Sequence, residues 1–186
     1  MRQLSVNLSG QSVGDHEFHR WAFECLSAAG EDCCRSLCLE ITETVAITHL
    51  DVAAAFIAGV RAMGVRVALD DFGASASSFC YLKMLAVDCL KVDGQFIRSL
   101  IDHPLDAAAV RCVIDVARLM RIETVAEFVD RPDVLARLRE MGVDFAQGFL
   151  LHRPAPIDEL LHPPAPVQTL AATTAGAVAL SMKTGR

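Results

Sequence analysis

Two adjacent carboxylates end an apolar segment near the middle of the sequence. Asp70 and Asp71 follow the run Val67-Ala68-Leu69, and a loop of small residues comes after them. Adjacent acids repel each other unless a cation or a proton is shared between them. Taken alone, the pair is more typical of a solvated strand end whose aspartate caps a helix. The rest of the chain favours a site, because other polar residues occupy comparable positions.

Polar residues stand at or near the end of every predicted strand. The strands are predicted over Leu4–Leu8, Leu37–Ile41, Arg66–Leu69, Cys89–Val92, Glu123–Ala126 and Val143–Ala146. Their polar residues are Asn7, Glu40, Asp70 with Asp71, Lys91, Glu127 and Gln147. The carboxyl ends of parallel strands meet at one side of a sheet or one mouth of a barrel, where ligands bind. We therefore expect these side chains to form a single site.

Helical segments alternate strictly with the predicted strands. Their limits are set by capping and stop residues: Asp15 and Gly30, Asp51 and Gly64, Pro104, and Pro132 with Gly142. This alternation predicts an α/β fold with a parallel sheet and about six βα units. A partial TIM-like (β/α)8 barrel is the first expectation, and an open doubly wound sheet is the second. A short helix is also predicted over Ser77–Leu85.

Composition restricts the class of protein. The chain has 186 residues, of which 53% are hydrophobic and 22% charged, with a net charge of −6 and a pI near 5.4. An acidic chain without a basic face is not expected to bind duplex nucleic acid. No apolar run reaches the roughly 18 residues of a membrane span, and the N-terminus lacks a signal-peptide pattern. Seven cysteines without a Cys-x-x-Cys pair predict reduced, mostly buried thiols and a cytoplasmic location.

The polar set at the strand ends is rich in hard oxygen ligands. Such ligands favour Mg2+ or Mn2+ over zinc, and several acids in one pocket need more than one divalent ion. Two ions about 3.5–4 Å apart are the usual apparatus for phosphodiester hydrolysis. Asp70 or Asp71 is the candidate for a ligand shared between them. Lys91 would orient the nucleophile or offset transition-state charge, although a salt bridge with Asp93 or a neighbouring acid is the simpler role.

Six short segments occur in an order that resembles one known family. They are Ser5-Val6-Asn7-Leu8-Ser9, Leu39-Glu40-Ile41-Thr42-Glu43, Ala68-Leu69-Asp70-Asp71-Phe72-Gly73, Leu90-Lys91-Val92-Asp93, Val125-Ala126-Glu127 and Gln147-Gly148-Phe149. Each is weak alone, since Asp-Phe-Gly also occurs in kinases. Together they resemble the EAL domain over roughly residues 1–156. The resemblance implies a modified (β/α)8 barrel that hydrolyses cyclic di-GMP to pGpG with two Mg2+ or Mn2+ ions.

The resemblance also implies roles for individual residues. The implied metal ligands are Asn7, Glu40, Asp70, Asp71 and Glu127. Glu127 is alternatively the general base acting on the attacking water, which Lys91 would hold. Gln147 and Asp93 would contact the substrate. Glu43 and Asp130 would support loops, with Glu43 bracing the loop after Asp71.

Three departures from the family pattern bear on activity. The chain begins at what would be the family's third strand, so the Glu-Ala-Leu segment and two βα units are expected upstream. The loop over residues 73–77 lacks the usual Thr, Gly and Tyr at its middle three positions, and Glu127-Phe128-Val129-Asp130 replaces Glu-Gly-Val-Glu. We expect a partial EAL domain over residues 1–162 and a disordered tail over 163–186.

These departures leave three hypotheses open. The chain is the C-terminal part of a phosphodiesterase, a degenerate module that binds cyclic di-GMP or a protein partner, or a gene fragment without function. Upstream regulation by a GGDEF, PAS or similar domain is expected in the full-length protein. The isolated chain is expected to be inactive and to form homodimers or aggregates through its outer strands, because open sheet edges associate.

Overall fold

Six strands form one parallel sheet. The computed structural model describes residues 3–73 and 79–156. The strands are β1 (Leu4–Asn7), β2 (Leu37–Thr42), β3 (Arg66–Phe72), β4 (Cys89–Val92), β5 (Glu123–Ala126) and β6 (Phe145–Ala146). They lie side by side in chain order, and every neighbouring pair is parallel.

Helices form the connections between the strands. They are α1 (Gly10–Gly14), α2 (His16–Ala29), α3 (Glu31–Arg35), α4 (Glu43–Thr48), α5 (Leu50–Ala62), α6 (Gly94–Arg98), α7 (Pro104–Met120) and α8 (Pro132–Met141), with a 3-10 turn over Phe79–Lys83. The Asp15 side chain accepts a hydrogen bond from the Glu17 backbone N–H at the start of α2. Pro132 begins α8, and Gly142 ends it with a φ of 82°. Among the described residues, no helix has the length and apolar character needed to cross a membrane.

The strand order distinguishes between the two predicted architectures. A doubly wound sheet reverses its strand order at a switch point, whereas the order here runs from β1 to β6 without reversal. Right-handed crossovers then place the connecting helices on one face of the sheet. The Lys91 Nζ on β4 lies 2.6 Å from Glu40 Oε2 on β2, although β3 stands between them. The sheet forms half of a barrel, so the predicted TIM-like architecture is confirmed.

The two faces of the sheet have different characters. Successive strand residues point to opposite faces, and Ile41, Leu69 and Leu90 are fully buried in the large apolar core. A second, much smaller apolar cluster consists of Cys38, Ala68 and Cys89. These residues alternate with the first set along their strands, so they lie on the concave face. The alternation also puts Glu40, Asp70 and Lys91 on this concave side, because each lies two residues after a member of this cluster.

Three predicted elements differ clearly from those observed. The strand predicted over Arg66–Leu69 continues to Phe72, so Asp70 and Asp71 lie within β3. The last strand is confined to Phe145–Ala146, not Val143–Ala146, because the Asp144 carboxylate accepts hydrogen bonds from the Thr124 N–H and hydroxyl, both at 2.9 Å. The predicted helix Ser77–Leu85 contains only a 3-10 turn over Phe79–Lys83. Its first two residues, most of the preceding loop and the predicted tail over 163–186 lie outside the described residues.

The prediction of mostly buried cysteines was wrong. Four thiols are exposed, and only three are buried. The exposed ones are Cys25, Cys33, Cys80 and Cys112. Most of these lie on helices, where apolar neighbours in the sequence do not place a residue on the buried face.

Candidate functional site

A buried lysine lies at the centre of the concave face. Lys91 is only 5% exposed, and its Nζ lies 2.6 Å from Glu40 Oε2, 2.8 Å from Glu127 Oε1 and 3.0 Å from Asp70 Oδ1. Burial lowers the pKa of this ammonium, but the hydrogen bonds that it donates to the carboxylates outweigh the effect, and the pKa is raised above that of a free lysine. Lys91 is therefore a cation held by acids on β2 and β3 and by Glu127, which directly follows β5.

A bulge brings the two adjacent aspartates into one site. Strand alternation would send Asp70 and Asp71 to opposite faces. The β3–β4 register shifts between Leu69 and Phe72, and Asp71 has a φ of 53°. The Asp71 N–H donates to Asp70 Oδ1 at 3.0 Å. As a result, both carboxylates point toward the strand ends, as bulges near active sites often arrange.

Three carboxylates converge closely enough to share a cation. Oxygen atoms of Asp70, Asp71 and Glu127 lie within 4.8 Å of one another. Burial raises the pKa of Glu127, and Lys91 opposes the shift without cancelling it. Burial also raises the pKa of Asp71, with the nearby charges of Asp70 and Asp93 adding to the effect. The carboxylates thus carry more negative charge than their surroundings compensate.

The donor set fits divalent cations. Four carboxylates, those of Glu40, Asp70, Asp71 and Glu127, face the single ammonium of Lys91. Their ligand atoms are hard oxygens, which favour Mg2+, Mn2+ or Ca2+. A bound cation would stabilise the ionised forms of Asp71 and Glu127, which burial disfavours.

The remaining predicted residues lie at the same side of the sheet. Asn7 ends β1 directly opposite Glu40 in the β1–β2 register. Gln147 follows β6, where its backbone N–H donates to the Ala126 carbonyl at 2.8 Å. Asp93 caps α6 by accepting from the Gln95 N–H at 2.7 Å. The structure therefore clusters Glu40, Asp70, Asp71, Lys91 and Glu127, and it places Asn7, Asp93 and Gln147 around them. Asp130 is exposed beyond β5, away from these contacts.

Glu43 contacts the start of the loop that follows the aspartates. This glutamate is 2% exposed, and its Oε2 accepts from the Gly73 N–H at 3.1 Å. Its Oε1 accepts from the Tyr81 hydroxyl, and burial together with this bond raises the pKa of Tyr81. Sequence reasoning missed Tyr81. A buried tyrosine needs a hydrogen-bond partner, but nothing in its spacing indicates which carboxylate that is.

Comparison with known proteins places this geometry in a family. Residues 1–154 match the model of the EAL domain. The cyclic di-GMP phosphodiesterase PdeB of Shewanella oneidensis is 38% identical over 154 residues, which is 83% of this chain and 18% of PdeB. The solved structure of the PaMucR phosphodiesterase in complex with cyclic di-GMP is 33% identical, with a TM-score of 0.78 over 85% of this chain and 64% of that chain.

A third relative was solved with both a metal and a nucleotide. The calcium and cyclic di-GMP complex of Klebsiella pneumoniae BlrP1 is 30% identical, with a TM-score of 0.73 over 82% of this chain and 39% of that chain. The chain spans less than two thirds of each of these three relatives.

Fold and site together define a barrel-type α/β protein with an acidic strand-end site whose carboxylates are close enough to hold a cation. The chain belongs to the EAL domain family. The phosphodiesterases of this family are metal-dependent, which agrees with the donor set at the strand ends.

Proposed function

We propose that this chain carries the catalytic face of a cyclic di-GMP phosphodiesterase, which opens the cyclic dinucleotide to linear pGpG. One observation carries the proposal. Buried Lys91 lies within 3.0 Å of the carboxylates of Glu40, Asp70 and Glu127, and the carboxylate of Asp71 lies beside them at the bulge in β3. The relatives PdeB and PaMucR, which are named as phosphodiesterases, support the reaction class.

The residues of the cluster have different proposed roles in phosphodiester hydrolysis. Two Mg2+ or Mn2+ ions, held by Asn7, Glu40, Asp70, Asp71 and Glu127, would supply Lewis-acid activation of the phosphodiester and of water. Lys91 fixes the positions of Glu40, Asp70 and Glu127 and offsets negative charge on the transferring phosphoryl group. As the alternative to ligating an ion, Glu127 is the general base that accepts a proton from the attacking water.

Asp93 and Gln147 are proposed to hold the guanine bases. Guanine presents N–H donors and carbonyl and ring-nitrogen acceptors on its edges. Oδ1 of Asp93 accepts from the Gln95 N–H, which leaves its other oxygen for a guanine N–H. Gln147 offers both a donor and an acceptor at the opposite side of the mouth. Glu43 and Asp130 are proposed to support the flanking loops.

The proposed setting is a longer, cytoplasmic signalling protein. The much greater length of PdeB supports an upstream regulatory domain of the GGDEF or PAS kind. Seven free thiols support a reducing compartment. For the chain taken alone, a homodimer through the edge strand β1 is proposed, because Leu4 and Val6 on this strand are 44% and 39% exposed.

The test is chromatographic detection of pGpG from cyclic di-GMP with Mn2+ present. It uses the full chain alone and the full chain fused to about 80 upstream residues of a full-length relative, the length that completes a barrel. We expect release by the fusion and none by the chain alone. Binding without release by the fusion would indicate the binding-module alternative. Neither binding nor release by the fusion would overturn the proposed function.

A further inference from the structure

An exposed aromatic side chain stands next to the proposed base. Phe128 follows Glu127 directly, is 51% exposed, and has a φ of 52°. Bulky residues rarely adopt this left-handed conformation. Strained backbone of this kind persists where the surroundings enforce it, and it concentrates at functional sites. The conformation of Phe128 is therefore imposed by contacts that the structure identifies.

Helix α6 holds the phenyl ring in place. A Cβ added to Gly94 would lie 2.1 Å from Phe128 Cδ2, so only glycine permits this approach. The guanidinium carbon of Arg98 lies 4.3 Å from the ring centroid, within cation–π range. Gly94 and Arg98 are four residues apart on α6 and share one helix face. Both contact the ring from the helix side, and Phe128 remains half-exposed despite these contacts.

The backbone around Phe128 is anchored on the other side as well. The Val129 N–H donates to the Gln147 carbonyl at 3.0 Å. A Cβ on Gly148 would lie 2.2 Å from the Val129 carbonyl oxygen, so the two segments are in close contact. Phe128 is thus clamped between the turn after β4 and the turn after β6. Its neighbours along these turns are Asp93 and Gln147, which flank the acidic cluster.

We propose that Phe128, backed by Arg98, is a stacking platform for one purine base of the ligand whose phosphate binds beside Lys91. The proposal rests on the proposed function, because it needs a nucleotide at this mouth. A rigid, half-exposed ring supplies stacking at little loss of side-chain entropy, and any purine offers a π-face to it. The platform therefore contributes affinity for a purine without distinguishing guanine from adenine.

Two substitutions of Phe128 distinguish stacking of a base on the ring from nonspecific apolar contact between the ligand and this side chain. Phe128→Leu keeps an apolar side chain but removes the π-face, whereas Phe128→Trp retains it. Binding of cyclic di-GMP is measured calorimetrically on the fusion described above, with Ca2+ present. The Leu variant is expected to raise Kd by roughly 5- to 100-fold, the weight of one base–aromatic stack, and the Trp variant to bind as wild type. Trp21→Ala, which removes an exposed aromatic residue on α2, is the control and is expected to bind as wild type.

A third substitution tests whether Phe128 affects binding only by stabilising the fold. Phe128→Gly removes the strain of the positive φ, so its melting temperature is expected to equal or exceed that of wild type while its Kd rises. Wild-type affinity in the Leu variant, or equal weakening in the Leu and Trp variants, would overturn the platform and leave the proposed function intact. Absence of binding by the wild-type fusion would overturn the proposed function, and the platform with it.

Discussion

The two ends of the parallel strands both carry charged residues but differ in charge balance. At the amino ends, Arg66 pairs with Glu123, and Asp88 accepts from Arg61 at 2.7 and 3.0 Å and from the Val67 N–H at 2.9 Å. Each of these acids has a cation or an N–H group of its own.

At the carboxyl ends, the acids outnumber their partners. Glu40, Asp70 and Glu127 share the single ammonium of Lys91, and Asp71 adds a further carboxylate. Burying charge without full compensation destabilises a fold. The amino ends therefore carry scaffold interactions, and the carboxyl ends carry an arrangement that a bound cation would complete. Charge balance, rather than polarity, separates the two regions.

The largest expected effect follows from removing one charge at the carboxyl ends. Asp70→Asn retains the shape of the side chain but removes a proposed metal ligand. Hydrolysis of cyclic di-GMP by the fusion is expected to fall by roughly a thousandfold or more, as for loss of a central electrostatic contributor. Circular dichroism should remain that of wild type. Near-wild-type turnover with an intact spectrum would show that Asp70 is not part of the reacting site.

A somewhat smaller effect is expected at Glu127. Glu127→Gln removes the proton acceptor but not its size, so turnover should fall by roughly 100- to 10,000-fold. Affinity for cyclic di-GMP with Ca2+ should be retained, because the base acts on the transition state rather than on binding. If affinity and turnover fall together, Glu127 assembles the site instead of acting on water.

Removing the central cation should affect stability. Lys91→Met leaves Glu40, Asp70 and Glu127 without their ammonium, which is expected to lower the unfolding free energy by about 3–5 kcal/mol at pH 7. Burial already raises the folded-state pKa of Glu127, and without the opposing ammonium this pKa rises further, so the folded form gains protons relative to the unfolded one as pH falls. The deficit should shrink between pH 7 and the ordinary glutamate pKa of 4.5. Urea titrations in EDTA at both pH values test this, and a pH-independent deficit would contradict it.

The smallest effect is expected in the reactivity of the Cys38 thiol, which lies on the concave face of the sheet between the two ends of β2. Burial, with help from Glu40, raises the pKa of the Cys38 thiol from 9.0 to about 11. Its thiolate fraction at pH 8 is therefore about a hundredfold below that of an ordinary cysteine. Iodoacetamide should modify exposed Cys25 well before Cys38, and Cys38 labelling should accelerate only as pH approaches 11. Equal labelling of both thiols at pH 8 would mean that water enters the concave face below the site.

The sequence predicted the strands, their parallel alternation and the polar residues at their ends. Capping residues such as Asp15 and Pro132 act locally, so they can be identified without a structure. The register shift at Leu69 was not predictable, because it depends on how β3 pairs with β4. The contact of Tyr81 with Glu43 joins residues 38 positions apart, and no local pattern encodes such a separation. The shortness of β6 likewise depends on Asp144 binding Thr124 on the neighbouring strand.

The most direct test of the difference between the two ends is Mn2+ binding. Calorimetric titration should compare the wild-type chain with Asp70→Asn at the carboxyl ends and Arg66→Met at the amino ends. We predict saturable binding to wild type and to Arg66→Met, and its loss in Asp70→Asn, because the acids at the carboxyl ends share one ammonium, whereas Glu123 and Asp88 at the amino ends are each paired with an arginine. Absence of binding by wild type, or equal binding by all three proteins, would contradict a cation site at the carboxyl ends of the strands.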